Sequence, residues 1–510
     1  MKHSFVILLS FFTISSFAQT NRPNILFILS DDHAYQAISA YGNTLMQTPN
    51  IDRIAKEGAL FQNAFVANSL CAPSRATLLT GKFSHVNGLK INDISNPFDV
   101  KQELFTRILQ QNNYQTAWIG KWHLQTLPDG FDFWKILPDQ GEYYNPDFIT
   151  MSNDTVRQNG YVSDVITDIT VDFLQHRDRS KPFCMIVGEK ATHREWLPDL
   201  QDLGAFDNIE FPKPPNFIDH YEGRVAAHDQ DMTIAKTMRL KEDLKVHADY
   251  QHSGIYNRFS EGQKKIFSNY YEKISADFDS KHFNEKELLD WKFQRYMKDY
   301  LATARSLDRN IGKILDYLDS TGLSKNTIVI YASDQGFYLG EHGWFDKRFM
   351  YEESFRTPLV MRYPGVITPG KIISEMVMNI DFAPTILQMA GVPVPGDMQG
   401  QSILPLLKEN SASVAWRNAI YYHYYEYPQP HHVCPHFGIR TQRYKLIRFY
   451  QAHNNWELYD LSDDKNEMKN IYGKKGLENI TKNLKKQLDS LIEKYHDTDA
   501  SAILQKENHR

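Results

Sequence analysis

Two stretches of this 510-residue chain end an apolar run on acidic groups. Asn24-Ile25-Leu26-Phe27-Ile28-Leu29-Ser30 leads into Asp31-Asp32, and Thr327-Ile328-Val329-Ile330-Tyr331-Ala332-Ser333 leads into Asp334-Gln335-Gly336. A strand covered on both faces reads as a continuous apolar run, and open α/β sheets place ligands beyond the C-terminal ends of their strands. Adjacent carboxylates there repel each other unless a cation lies between them. Asp31, Asp32, Asp334 and Gln335 together make an all-oxygen donor set, which suits calcium or magnesium and not zinc.

A third stretch, Cys71-Ala72-Pro73-Ser74-Arg75, opens an Ala/Leu/Thr run that closes at Gly81. It reads as a reactive group at a helix N-terminus, where free backbone N–H groups and the helix dipole favour an anion. Lys121 and His123 stand two apart in Gly120-Lys121-Trp122-His123, so an extended backbone points both the same way. His193 follows the apolar run Phe183 to Gly188, and Lys347 lies in the charge-dense, glycine-punctuated stretch from Gly340 to Arg348.

Cys71-Ala72-Pro73-Ser74-Arg75 resembles the type I sulfatase signature, Cys-x-Pro-x-Arg, whose cysteine is oxidised after translation to formylglycine. The likeness continues through Leu79-Thr80-Gly81, and Gly120 to His123 resembles the family's Gly-Lys-Trp-His motif, with Gln125 where Gly is common. Asp31, Asp32, Asp334 and Gln335 resemble its calcium site beside position 71; Gln335 stands where many members have Asn. The motifs occur in family order over nearly the whole mature chain.

The resemblance implies an α/β, alkaline-phosphatase-like fold: a large mixed sheet flanked by helices, with a smaller C-terminal antiparallel sheet plus a helix. It implies sulfate-ester hydrolysis in which the hydrated formylglycine at Cys71, also next to the metal, supplies the nucleophile. Arg75, Lys121 and Lys347 would surround the sulfate with positive charge. His193 would protonate the departing alcohol, and His123 would take a proton from the remaining hydroxyl. It also implies a maturation partner, a formylglycine-generating or anaerobic sulfatase-maturing enzyme.

For the alcohol, the aromatic and histidine-rich stretch from Tyr421 to His436 offers stacking surfaces suited to a sugar ring. His423, Glu426, His431, His432, His436 and Arg440 are candidates to read hydroxyls or a uronate. In Lys190-Ala191-Thr192-His193-Arg194-Glu195-Trp196 and Phe437-Gly438-Ile439-Arg440-Thr441 the chain resembles carbohydrate sulfatases of polysaccharide-degrading bacteria, including N-acetylglucosamine-6-sulfatases and enzymes of algal glycans such as ulvan; the host-type and algal readings both stay open. Two other classes fit the fold. Phosphodiesterases and phosphomutases would need a Thr or Ser nucleophile and further Asp and His ligands, and a non-catalytic glycan-binding relative would have lost charged motif members.

A composition of 42% hydrophobic and 23% charged residues supplies core for one large or two moderate domains. The net charge of -5 gives no polybasic footprint, which argues against nucleic acid or an anionic membrane as partner. Of three cysteines, only Cys184 and Cys434 could pair if Cys71 is modified. Residues 1 to 18 read as a cleaved signal peptide, too short for a membrane span and without a lipobox, so the expected location is periplasmic or secreted. The expected units are 19–410, catalytic, and 411–510, a smaller C-terminal domain. Helical spacing is read from Leu289 to Leu318 with a stop at Gly322, over Glu261 to Lys286, and over Arg224 to Ala235 and Met238 to Lys245, with Asp381 as an N-cap. Strands are read at Ala419–Tyr427, Tyr444–Tyr450 and Trp456–Leu461, and a closing helix from about Gly476 to Lys494.

Overall fold

The structure is a computed structural model that describes residues 22–93, 95–408 and 414–508. The signal-peptide reading of residues 1 to 18 and the boundary at 410/411 lie outside the described residues.

The apolar runs are the centre of a ten-stranded mixed sheet. Across it the strands stand in the order Lys371–Ile373, Ala59–Phe61, Leu359–Arg362, Thr327–Ser333, Asn24–Ser30, Phe183–Gly188, Gln115–Lys121, Phe133–Leu137, Asp147–Thr150 and Thr155–Arg157. The middle four are parallel, Asn24–Ser30 pairing with Thr327–Ser333 on one side and Phe183–Gly188 on the other. Their C-terminal ends therefore share one edge.

Alternation along each central strand fills two cores, as burial on both faces requires. Ile25, Phe27 and Leu29 pack with Leu79, Leu104, Leu109, Ile386 and Leu387 from the helices on one face. Leu26 and Ile28 pack with Leu307, Ile311, Ile314, Leu315 and Leu318 on the other. The latter belong to the long helix Glu285–Ser320, which starts on a capping box at Asn284 and Glu287. Gly322, at φ 71°, follows its end, as read from the sequence.

The smaller sheet has four antiparallel strands, Ala419–Tyr424, His436–Thr441, Tyr444–Phe449 and Trp456–Asp460. Three match the sequence reading. The fourth, His436–Thr441, carries no clear strand signal, because its His, Gly and Arg are poor strand formers and only cross-strand pairing holds them extended. The helix Glu478–Lys494 covers this sheet with Leu484, Leu488 and Ile492, and a further helix, Thr498–Asn508, follows it.

Two other expectations are corrected. Between Arg224 and Lys245 the only α-helix is the single-turn Val225–Asp229. Polar side chains bind backbone there instead: Asp243 accepts from the Arg239 N–H at 2.8 Å, and Lys245 donates to the carbonyls of Glu195, Trp196 and Asp243. Asp381 precedes the helix Phe382–Met389 but does not cap it; its carboxylate accepts from the Met378 and Gln401 N–H groups and pairs with Arg417. Cys184 and Cys434 are free, buried thiols. Among the described residues no helix is long and apolar enough to cross a membrane.

Candidate active site

Four strand ends and one helix start meet at the shared edge. The register pairs Ser30 with Ser333, so Asp31-Asp32 and Asp334-Gln335 leave the sheet side by side although about 300 positions separate them. Gly336 must be glycine, since a Cβ there would lie 2.1 Å from the Glu353 carbonyl oxygen and 2.3 Å from that of Arg356. The helix Cys71–Thr80 begins at Cys71 itself, with Pro73 in its first turn, where a missing N–H is harmless. All ten of its residues are buried, and Gly81 ends it at φ 65°. The positive end of the helix thus faces the carboxylates.

The Cys71 thiol lies 3.3 Å from Asp31 Oδ1, 3.4 Å from Lys347 Nζ and 3.6 Å from Gln335 Nε2. Lys121 donates to Asp31 Oδ2, and Lys347 donates to both Asp32 oxygens at 2.6 and 2.7 Å. Arg75 donates twice to Asp334 Oδ2, at 3.0 and 2.9 Å, and once to the Lys121 carbonyl at 2.8 Å. Those three bonds use three of its five N–H groups, and with them Arg75 holds Asp334 and the end of the Gln115–Lys121 strand in place.

His193 turns its Nδ1–H to the Arg194 carbonyl at 2.6 Å, while the Tyr143 hydroxyl donates to the His193 carbonyl at 2.5 Å. Its Nε2 stands 4.0 Å from Asp32 Oδ2. His123 departs from the extended backbone expected of it, with φ at +58° beyond the strand end, yet it still converges with Lys121 because both bond Gln140.

The charges are unequal. Burial pushes the Asp31 carboxyl up, but Lys121, His193, Arg75 and Lys347 outweigh it and hold it well below the usual range. Burial, with repulsion from Asp31, lifts Asp32 to about 6 and Asp334 to about 7, even with Lys347 and Arg75 beside them. Burial and then Asp31 push the Cys71 thiol far up, so it is no thiolate nucleophile as it stands. Burial also keeps both imidazoles neutral, His193 well below its ordinary value and His123 down at about 4.

Asp31, Asp32 and Asp334 carry oxygens within 4.8 Å of one another. Gln335 Oε1 beside them is buried without a hydrogen-bond partner. Three converging carboxyls, two of them raised by burial and mutual repulsion, and an orphaned amide oxygen fit a hard divalent cation.

The sugar-reading candidates divide. His423 has both nitrogens engaged, Nδ1 by Asp497 at 2.6 Å and Nε2 by the Tyr450 hydroxyl at 2.8 Å. His436 accepts from the Met350 N–H at 3.0 Å and binds the Cys434 carbonyl at 2.8 Å. Arg440 stacks 4.9 Å over Phe65 and pairs with Glu352. His436 and Arg440 thus tie the C-terminal sheet to the body, whereas His423 is held within the C-terminal unit, and in all three every side-chain nitrogen already has a partner. His431 is tied to the Asp231 carbonyl and Asp346, and His432 is exposed on the Pro428–His432 turn.

Glu426 remains at the rim: it pairs with Arg348 and accepts from the Asn92 N–H, while Asn92 Oδ1 accepts from the N–H of Ala72, next to Cys71. Sequence reasoning did not single out Asn92, Gln140, Asp346 or Arg348. Asp346 and Arg348 flank Lys347 in a stretch already marked by its charge, whereas nothing local distinguishes Asn92 or Gln140.

The family model described as Sulfatase matches residues 23–392, and that described as N-sulphoglucosamine sulphohydrolase, C-terminal, matches 340–494. Over 495 residues the chain is 49% identical to an N-acetylglucosamine-6-O-sulfatase of Bacteroides thetaiotaomicron, covering 94% of this chain and 88% of that protein. It is 28% identical over 433 residues to an N-acetylglucosamine-6-sulfatase of Homo sapiens, covering 80% of this chain and 68% of the other. A solved structure of a protein in complex with its substrate, D-glucosamine-2-N,6-O-disulfate, superposes with a TM-score of 0.91 at 47% identity, covering 94% of this chain and 99% of that one. On these matches the chain belongs to the sulfatase family and is a sulfuric ester hydrolase.

Proposed function

We propose that the protein removes the 6-O-sulfate from a glucosamine unit, N-acetylated or N-sulfated, of a sulfated oligo- or polysaccharide. The observation that carries this reading is the 49% identity to a protein named for that reaction, maintained across 94% of the chain. The structural match to a complex with a glucosamine disulfate supports it. Position 71 acts as formylglycine, and one calcium ion, or magnesium in its place, is held by Asp31, Asp32, Asp334 and Gln335. Bound, these groups supply a hydroxyl nucleophile at neutral pH and a fixed positive charge.

The remaining roles fall to the side chains. Lys347, beside Cys71, and Lys121, on Asp31, neutralise the non-bridging sulfate oxygens. Arg75 acts through Asp334, which it holds. His193 rests neutral; a bound anion raises its proton affinity, and Nε2, the nitrogen not committed to Arg194, passes the proton to the departing alcohol oxygen. His123, also neutral at rest, takes the proton that restores position 71.

The catalytic unit spans 19–410 and a smaller unit 411–510; the chain is exported to the periplasm or beyond after loss of residues 1 to 18, and is matured by a formylglycine-generating or anaerobic sulfatase-maturing enzyme. The test is sulfate release from 6-sulfated N-acetylglucosamine, glucosamine-2-N,6-O-disulfate, ulvan oligosaccharides and a phosphodiester control, with peptide mass spectrometry of residue 71 on the same sample. Release from the glucosamine sulfates alone is expected. Formylglycine-bearing protein that is inert on them, or that prefers ulvan or the phosphodiester, refutes the assignment.

A further inference from the structure

We propose that Gln140 is a positioning residue that joins Lys121 to His123 and sets which nitrogen of His123 is free to gain a proton. This rests on the roles given above to Lys121 and His123. Gln140 lies in a tight turn after the Phe133–Leu137 strand: Asp139 has φ 45°, the Gly141 N–H binds the Pro138 carbonyl at 2.8 Å, and Gly141 has φ 70°. A Cβ on Gly141 would lie 2.7 Å from a Leu137 methyl carbon, so the turn admits little else. Lys190 pins it from the far side, donating to the Gln140 carbonyl at 3.3 Å.

The side-chain amide then has one workable orientation. An ammonium group only donates, so the oxygen of Gln140 must face Lys121, as it does. The Gln140 NH2 is left to donate to His123 Nε2, 2.9 Å away. A nitrogen that accepts carries no proton, so neutral His123 bears its proton on Nδ1, which is buried without a partner.

The same Nε2 lies 3.3 Å from Asp139 Oδ1, a group that can only accept. Gln140 therefore favours the unprotonated Nε2 and Asp139 the protonated one, and a proton arriving at Nε2 exchanges the first partner for the second. The charged groups that face His123 are Asp139, Lys121 and Asp31. Of these Lys121 is itself anchored by Gln140, so one side chain orients the sulfate-facing ammonium and keeps the imidazole ready as a base.

The test uses the full matured chain and its Gln140→Glu and Gln140→Met variants. NMR of 13C-labelled histidine, with the His123 signal assigned by its loss in His123→Gln, follows the imidazole through pH. Gln140→Glu turns the donor into a second acceptor and is expected to raise the His123 midpoint by about 1 to 3 pH units. In sulfate release from a 6-sulfated glucosamine, the Gln140→Glu kcat profile shifts toward alkaline pH, and Gln140→Met lowers kcat by about 100-fold with KM changed less than about threefold. A His123 midpoint unmoved in Gln140→Glu overturns the proposal, as does a Gln140→Met kcat within about twofold of the parent. A parent that carries formylglycine yet releases no sulfate refutes the proposed function, and the NMR measurement still decides the role of Gln140. If Gln140→Met does not fold, Gln140→Glu, of equal size, decides it.

Discussion

Replacing Arg75 by Met tests whether the acidic cluster depends on this one cation, and the structure fixes both the size and the pH dependence of the effect. Arg75 and Asp334 are both fully buried and joined by two hydrogen bonds, with a third from Arg75 to the Lys121 carbonyl. Removing one partner of a buried pair costs about 3 to 5 kcal/mol, because the other charge is left without compensation. Asp334 can escape that cost by holding a proton, and it is already lifted to about 7 by burial and Asp31.

A carboxyl raised in the folded state contributes stability that is present below its unfolded value, about 4, and is lost as pH rises through its folded value. Without Arg75 that folded value moves higher still, so the variant loses more than the parent at alkaline pH. At pH 5 Asp334 is protonated in both proteins, and only hydrogen bonding of about 1 to 2 kcal/mol is lost. Thermal unfolding in EDTA should therefore show a deficit of about 2 to 4 °C at pH 5 and about 6 to 10 °C at pH 8, at about 2 °C per kcal/mol. Equal deficits at the two pH values would refute the electrostatic account. An unchanged midpoint at both would refute the pairing itself.

Other substitutions separate the remaining roles. Cys71→Ser should unfold at the parent temperature yet lose at least about a thousandfold in kcat, and near-normal sulfate release would remove formylglycine from the reaction. Asp31→Asn should weaken calcium affinity, read by isothermal calorimetry, together with activity; an unchanged calcium titration would exclude Asp31 from the metal site. His423→Gln should lower the unfolding midpoint while leaving KM unchanged, because both ring nitrogens serve Asp497 and Tyr450, and a raised KM with a normal midpoint would restore it as a substrate contact. Glu189, lifted to about 8 by burial and opposed by its bond with Ser163, makes the folded state lose stability between about pH 4.5 and 8. Glu189→Gln should match the parent at pH 5 and exceed it by a few degrees at pH 9, and parallel curves would show that Glu189 does not titrate in that range.

The parts of the site legible in the sequence are those that coincide with a local change of pattern. Asp31-Asp32 and Asp334-Gln335 each stand where an apolar run stops, and Cys71 stands where a proline and a helical run begin. The long helix was legible from its spacing, since Leu307, Ile311, Ile314 and Leu318 recur on one face. Gln140 and Asn92 were not, because an amide in a polar loop has meaning only through what the rest of the chain places beside it. The histidines of Tyr421 to His436 misled for a related reason. Composition shows that imidazoles are present, but whether their nitrogens are free depends on Asp497, Tyr450 and Met350, all distant along the chain.

By itself, then, the sequence determined which residue types could do chemistry, the strand and helix ends on which they sit, and the oxygen-rich character of the acidic cluster, since short-range patterning dictates all of these. Tertiary structure alone decided which of them meet. Parallel pairing of Ser30 with Ser333 converts two separate acidic ends into one cluster, and the Cys71–Thr80 helix brings Arg75 to Asp334 across 259 positions. Burial at that junction then sets the charges, holding Asp31 ionised and lifting Asp32, Asp334 and the thiol. Desolvation and the placement of opposite charge are properties of a packed interior, so neither exists until the chain has folded.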